Sequence, residues 1–278
     1  LYQLSAFGDE ISPRLETQLE VLQSENIRSL EIRGVENKNV LDLTNQELEE
    51  IRSRLENKGF TISAIGSPIG KVSIEEDFHK HMKLFRRAVE IAKKFSCNHI
   101  RIFSFYIPRG GKPEKFRTKV IQKLESMVEL AEKDNVILLH ENEREIYGDV
   151  PERCLDLLST INSAHLRATF DPANFVACGV KPFQQAFPLL ADYIKYVHIK
   201  DARFSDQAVV PAGEGDGEWR KLLTALKQCN FPGYFSLEPH LIFQGQYSGY
   251  SGEFLFRKAA KSFQRLLQEL QWTESAGG

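Results

Sequence analysis

A single (β/α)8 barrel is the fold this sequence predicts, on three observations. Short apolar runs alternate with longer amphipathic ones along the whole chain, the pattern of βα units around a parallel sheet. Eight such pairs can be counted, enough for the sheet to close on itself. No internal repeat, low-complexity run or Pro/Ser-rich linker interrupts the rhythm, so residues 1–278 read as one domain, with 272–278 as a frayed tail. A doubly wound open sheet is the alternative. It asks for a Gly-rich phosphate turn after the first strand, and "FGDEISP" is not G-x-G-x-x-G.

The strands, in order, are "QLSAFGDE" (3–10), "SLEIR" (29–33), "FTISAIG" (60–66), "HIRIFSF" (99–105), "VILLHE" (136–141), "RATFD" (167–171), "IKYVHIK" (194–200) and "YFSLE" (234–238). Between them, apolar residues recur at three and four, the spacing that lays one buried stripe along a helix. The first helix begins near Leu15. The second carries Thr44 as N-cap, Glu47 at the capping-box offset and Gly59 as its stop. The third runs from Phe78, and Pro113 and Pro151 fall in the expected first turns of the next two, where a missing N–H costs nothing. Weaker patterns cover 183–190 and 218–229, and "GEFLFRKAAKSFQRLLQELQW" closes the series.

Composition narrows the function classes. The chain is 42% hydrophobic and 27% charged, ordinary for a globular protein with a sizeable core. A formal net charge of −2 offers no basic face for a nucleic-acid backbone, so no nucleic-acid partner is expected. Cys97, Cys154, Cys178 and Cys229 lie far apart with no C-x-x-C pair, and reduced structural thiols are expected. "LYQLSAFGDEIS" lacks a basic segment followed by a long apolar one, and no run reaches membrane-spanning length; a cytoplasmic protein with no membrane partner is the expectation.

The chemistry gathers at the strand ends. Strand five ends in Glu141, strand six in Asp171, strand seven in His198 and strand eight in Glu238. A barrel sets these positions side by side around one arc of its C-terminal mouth. Three carboxylates and an imidazole held together there need a cation or shared protons. One divalent metal ion is the economical answer. Mostly oxygen ligands with one nitrogen suit Mn²⁺, Mg²⁺ or Co²⁺, with Zn²⁺ also open.

"LLHENE", "ATFDPANF", "YVHIKDA", "VPAGEGDGEW" and "FSLEP", in this order at the ends of strands five to eight, resemble the xylose-isomerase-like TIM barrels. That superfamily includes sugar isomerases, ketose 3-epimerases, inosose dehydratase and endonuclease IV. The resemblance covers nearly the whole chain. It implies that Glu141, Asp171, His198 and Glu238 ligate one divalent ion. It also implies that Glu141 and Glu238 form an acid/base pair exchanging a proton with a substrate carbon through an enediolate. The substrate would be a small sugar or sugar derivative, and a homo-oligomer is compatible.

One departure stands out: many members carry a His three residues after the metal Asp, and this chain has Asn174, which cannot shuttle a proton near neutral pH. A dehydratase or lyase acting on a keto-sugar or inosose is therefore the second reading, and a non-catalytic sugar-binding barrel the third. Endonuclease IV is set aside, because the extra histidines of a three-metal site are replaced by Gly66, Ser104 and "DPAN".

Around the four ligands, Asn174, Lys200, Arg203 and Glu143 are expected to contact substrate, with Asn142 in contact or in support. Lys200 shares a strand face with His198, and its alternative is a salt bridge to a neighbouring carboxylate. Glu10, Glu31 and Arg33 either close the pocket or cap the barrel as ion pairs. His140 points away from Glu141 and serves packing or a supporting hydrogen bond, while His99 and His165 sit at strand starts and have no role. The Gly-rich stretches 205–219 and 239–252 are expected to be mobile covers, with Trp219 packing beneath the first or touching substrate. Arg109 and Lys112 either bind a phosphate or belong to a solvated turn.

Overall fold

In the computed structural model, which describes residues 2–245 and 249–272, all eight expected strands form one closed parallel barrel. They are β1 (Gln3–Ala6), β2 (Ser29–Ile32), β3 (Thr61–Ile65), β4 (His99–Ile102), β5 (Ile137–Glu141), β6 (Leu166–Phe170), β7 (Ile194–Ile199) and β8 (Tyr234–Leu237). Each pairs with its sequence neighbours, and β8 closes against β1 with Ala6 beside Leu237. Most of the strands stop short of their sequence-read ends, because the chain finds other partners there. After β1, Gly8–Glu10 tighten into a 3-10 turn. After β4, the Phe103 and Phe105 N–H groups donate to the carbonyls of Ile69 and Gly70 in the loop following β3.

The helices α1 (Leu15–Ser24), α2 (Asn45–Asn57), α3 (Phe78–Lys94), α4 (Arg117–Asp134) and α5 (Pro151–Ile161) match the apolar spacing. Two short ones follow, α6 (Pro172–Ala177), which the spacing does not predict, and α7 (Phe187–Leu190), the end of the weak 183–190 pattern, before α8 (Trp219–Gln228) and α9 (Gly252–Glu269), which match again. Both arms of the capping box before α2 are made: Thr44 Oγ1 accepts from the Glu47 N–H, and Glu47 accepts from the Thr44 N–H. Such caps contribute about 1 kcal/mol. Pro113 begins a 3-10 turn rather than the helix itself, with α4 following directly.

Period-two alternation sends every other strand residue inward. Ala64, Leu139 and Tyr196 fill one inner layer, and the Tyr196 hydroxyl joins Ser63 and Ser5 in a buried chain of hydroxyls. One step further toward the C-terminal mouth, the same faces carry Glu141 after Leu139 and His198 after Tyr196. The apolar floor thus gives way to charge within one strand repeat.

Trp272, the first residue of the 272–278 stretch expected to fray, is ordered against the barrel. Its ring is buried, edge-on to Tyr2 and Phe235, so residue 272 is packed against the β1–β8 side of the barrel. An indole removes more apolar surface from water than a frayed terminus could leave exposed without cost. Residues 273–278 lie outside the described residues.

Candidate functional site

Glu141, Asp171, His198 and Glu238 converge as the strand ends suggest. Each offers one ligand atom, all within 4.8 Å of one another, and all four residues are buried. His198 Nδ1 lies 3.2 Å from Glu141 Oε1, 3.3 Å from Glu238 Oε2 and 3.9 Å from Asp171 Oδ2. Its other nitrogen, Nε2, faces Glu31 Oε2 at 3.2 Å. A carboxylate behind an imidazole fixes the tautomer and turns the free nitrogen toward the cluster, the usual support of a metal-binding histidine.

Asparagines lock the carboxylates in place. The Asn142 amide clasps β6, donating to the Asp171 carbonyl at 3.0 Å and accepting from the Asp171 N–H at 2.9 Å. Asp171 also caps α6, its Oδ1 accepting from the Asn174 N–H at 2.8 Å. Asn174 Nδ2 donates to Glu141 Oε1 at 3.1 Å and to the Asn142 carbonyl at 2.9 Å.

Three cations face these acids. Lys200 Nζ is 2.8 Å from Asp171 Oδ2, outside hydrogen-bond alignment, and donates to Glu238 Oε2 at 3.3 Å. Arg33 Nη1 donates to Glu238 Oε1 at 2.8 Å. Arg101 Nη1 lies 3.3 Å from both Glu141 Oε2 and Glu238 Oε1. The guanidinium carbons of Arg33 and Arg101 sit over the Phe7 ring at 4.4 and 5.0 Å.

Burial raises the Glu141 carboxyl, but His198 and Arg101 outweigh it and hold it at about 2 despite the opposing charge of Glu238. Burial likewise raises Glu238, which Lys200, His240 and His198 hold well below the usual carboxylate range. Asp171 goes the other way, pushed up to about 6 by burial, with Lys200 only partly compensating. Burial disfavours the His198 imidazolium, yet Glu141, Glu31 and Glu238 together raise it well above its ordinary value.

The residues fit a divalent cation. Glu141 Oε2, Asp171 Oδ2 and His198 Nδ1 are buried without a hydrogen-bond partner, an arrangement that is costly unless an ion completes it. The contiguous charged network comprises Asp9, Glu10, Glu31, Glu141, Asp171 and Glu238 against the permanent cations Arg33, Arg101 and Lys200. The six acids outnumber these three cations, and with His198 counted as an imidazolium the excess is two.

Residues 24–266 match the model of the xylose isomerase-like TIM barrel family. The chain belongs to this family. Solved structures with the same fold include a D-tagatose 3-epimerase-like protein (18% identical, TM-score 0.77, covering 97% of this chain and 98% of that one). The IOLI protein with a bound zinc atom is equally similar (18%, TM-score 0.77, 96% and 98%). The probable 3-DHS dehydratase AsbF of Bacillus anthracis, involved in petrobactin synthesis, follows at 17% identity, TM-score 0.75 and coverage of 95% and 98%.

In this member of the xylose isomerase-like family, several residues of the outer ring are engaged by their own neighbours. Arg203 does not join the cluster; its exposed guanidinium pairs with Asp206 at 2.8 Å, a partner three residues away on the same loop. Glu143 is held by Lys71 at 2.8 Å. Trp219 packs instead of facing a pocket, its Nε1 donating to the Lys200 carbonyl at 3.3 Å. His140 is buried against Gly148 with Nε2 unpartnered, and burial pushes it down to about 4. Arg109 lines a shallow cavity with Glu145 and Asp149 that also includes Gly110 and Gly111.

The 205–219 stretch is pinned where mobility was expected. Asp201 accepts from its own neighbour Ala202 N–H and from the N–H groups of Gly213, Gly215 and Gly217, all at 2.8–3.0 Å. A Cβ at Gly215 would come within 2.5 Å of Asp201 Oδ1, so the glycines are what let the backbone close around the carboxylate. Of 239–252, residues 246–248 lie outside the described residues. The flanking parts are held, because Ser251 Oγ donates to Glu10 Oε2 at 2.8 Å and the His240 N–H donates to the same oxygen at 3.1 Å.

Three residues at the site escaped the sequence reading. Arg101 sits mid-strand on β4, and its inward phase was the available signal. His240, two residues after Glu238, pairs through Nδ1 with Glu10 Oε1 and brings Nε2 to 3.6 Å from Glu238 Oε1. Asp201 was signalled only by the alternate glycines that follow it.

Proposed function

We propose that this chain is a divalent-metal-dependent isomerase or epimerase of a small sugar or sugar derivative, moving a proton between carbons through an enediolate. The observation that carries this reading is the buried convergence of Glu141, Asp171, His198 and Glu238 with three ligand atoms lacking hydrogen-bond partners. When bound, a Mn²⁺, Mg²⁺, Co²⁺ or Zn²⁺ ion would supply Lewis acidity toward adjacent substrate oxygens, making the intervening C–H more acidic. Glu141 and Glu238 are the acid/base pair. Both are held as carboxylates at neutral pH by the cations around them, the form a proton acceptor needs.

Asn174 keeps Glu141 in orientation and carries no proton itself. Lys200 and Arg101 stand beside the two glutamates as fixed positive charges, suited to a developing substrate oxyanion. Barrel likeness to a D-tagatose 3-epimerase-like protein and to the zinc-bound IOLI protein supports the same class.

A dehydratase on a keto-sugar or inosose is the second reading, favoured by Asn174 and by the likeness to the probable dehydratase AsbF. Incubation of the Mn²⁺-loaded protein with ketoses, keto-glycosides and inososes in deuterated water separates the two. Isomerase or epimerase chemistry gives carbon-bound deuterium with no loss of water, whereas dehydration gives an unsaturated product. Glu141→Gln and Glu238→Gln should each abolish exchange. Turnover unchanged in both variants would refute the assignment.

A further inference from the structure

The cations around the ligand cluster divide by the oxygens they hold. Arg33 Nη1 donates to Glu238 Oε1 at 2.8 Å, and Arg101 Nη1 lies 3.3 Å from that same oxygen and from Glu141 Oε2. His240 Nε2 also approaches Glu238 through Oε1. The oxygens that lie toward His198 Nδ1 are different ones: Glu141 Oε1, Glu238 Oε2 and Asp171 Oδ2. Glu141 Oε1 accepts from the neutral Asn174 amide. Among the described residues, Lys200 is the one lysine or arginine paired on this inner side, 2.8 Å from Asp171 Oδ2 and 3.3 Å from Glu238 Oε2.

Its position is fixed from behind. The Lys200 carbonyl accepts from Trp219 Nε1 at 3.3 Å, and the next residue, Asp201, is gripped by the amides of Ala202, Gly213, Gly215 and Gly217. The side chain is buried, so water does not screen its ammonium from a cation held by the same oxygens. A carboxylate oxygen has lone pairs for two partners, but two positive charges drawing on one oxygen repel, and each loosens the other's hold.

The ligand carboxylates do not depend on Lys200 for their orientation. Asp171 Oδ1 caps α6 through the Asn174 N–H at 2.8 Å, and Asn142 clasps the Asp171 backbone. Glu238 is held through Oε1 by Arg33 and Arg101. Removing the ammonium therefore leaves the inner oxygens in place with less competition for them.

We infer that Lys200 sets the affinity of the metal site: its ammonium shares Asp171 Oδ2 and Glu238 Oε2 with the divalent ion and keeps binding weak and exchange fast. This rests on the metal-dependent reading above and adds the control of its loading. A lysine that merely held the ligands would act with the opposite sign, since its loss would weaken binding of the ion.

The test is Mn²⁺ binding by the full chain, measured by competition against a chelating dye, with release timed after a chase of excess EDTA. Lys200→Met keeps the length of the side chain without its charge and should bind Mn²⁺ about tenfold more tightly, the low end of coupling between close buried charges, with release slowed about as much. Lys200→Gln, which keeps a neutral donor for Asp171 or Glu238 should the Met variant not fold, should bind about threefold more tightly. A folded variant of either kind that binds Mn²⁺ no more tightly than wild type, or releases it no more slowly, would overturn the inference and leave the metal-dependent reading intact. Absence of saturable Mn²⁺ binding from wild type and variants alike would overturn both.

Discussion

Replacing Glu31 tests the organisation of the cluster from behind, without touching an expected ligand. Glu31 Oε1 hydrogen-bonds His198 Nε2 at 3.4 Å and Oε2 stands 3.2 Å from the same nitrogen, with both side chains fully buried. Hydrogen bonds to charged groups are worth about 1.5–3 kcal/mol, and loss of an outer carboxylate from a metal-binding imidazole typically lowers affinity 10–100-fold. The two ranges agree, since a tenfold change is about 1.4 kcal/mol. Gln retains the shape and one acceptor, so Glu31→Gln belongs at the lower end, roughly tenfold weaker. Glu31→Ala leaves Nε2 facing a void and belongs near the hundredfold end, roughly.

Removing a negative charge from an acid-rich network acts in the same direction. The measurement is Mn²⁺ competition against a chelating dye of known affinity. Melting temperature is a poor substitute, because Glu31 also supports the His198 imidazolium in the metal-free protein and its loss would destabilise that state as well. Wild-type Mn²⁺ affinity in both variants would show that His198 is not oriented by Glu31 for metal binding.

Two further outcomes concern stability. His81 is pushed down to about 4, mainly by burial and secondarily by Lys123, while its Nε2 accepts from the Gly70 N–H at 3.1 Å. The folded state thus favours the neutral ring: stability is fully present above the unfolded value near 6.5 and is lost as pH falls toward 4. Between pH 7 and 5 this costs about 2 kcal/mol, and urea titrations should show His81→Gln flattening that part of the profile. An unchanged slope would mean the ring is not held neutral. Trp272→Ala should lower stability by about 3–5 kcal/mol, the usual cost of deleting a buried indole, and calorimetry showing under 1 kcal/mol, roughly a surface effect, would restore the view of a frayed end.

What was readable in the chain and what was not divides along the range of the interactions. The capping box at Thr44 and Glu47 and the helix start at Phe78, capped by Asp77, depend on neighbours within one turn, and spacing alone located them. Glu141, Asp171, His198 and Glu238 were readable for a different reason: a closed parallel barrel gathers its strand ends into one ring whatever the loop lengths.

Arg101 shows where this stops. An arginine inside a strand looks like a solvent-facing residue until the glutamates of β5 and β8 come within reach, and those lie 40 and 137 positions away. Arg203 is the opposite case, where a nearby acid, Asp206, three residues along the same loop, pairs with the guanidinium. The mobile loop inferred from glycines at 213, 215 and 217 failed because glycine signals close backbone approach as well as freedom, and the approaching group, Asp201, is remote in sequence.

That Asp201 arrangement bears on how such a scaffold diversifies. The course of residues 213–217 is dictated mainly by one anion gripping main-chain amides, with Asp216 Oδ2 adding an anchor on the Phe204 N–H at 2.7 Å, while the exposed side chain of Glu214 takes no part. Position 214 can therefore be rewritten, by selection or in the laboratory, while Trp219 is still delivered to the Lys200 carbonyl and the buried cluster below keeps its shape.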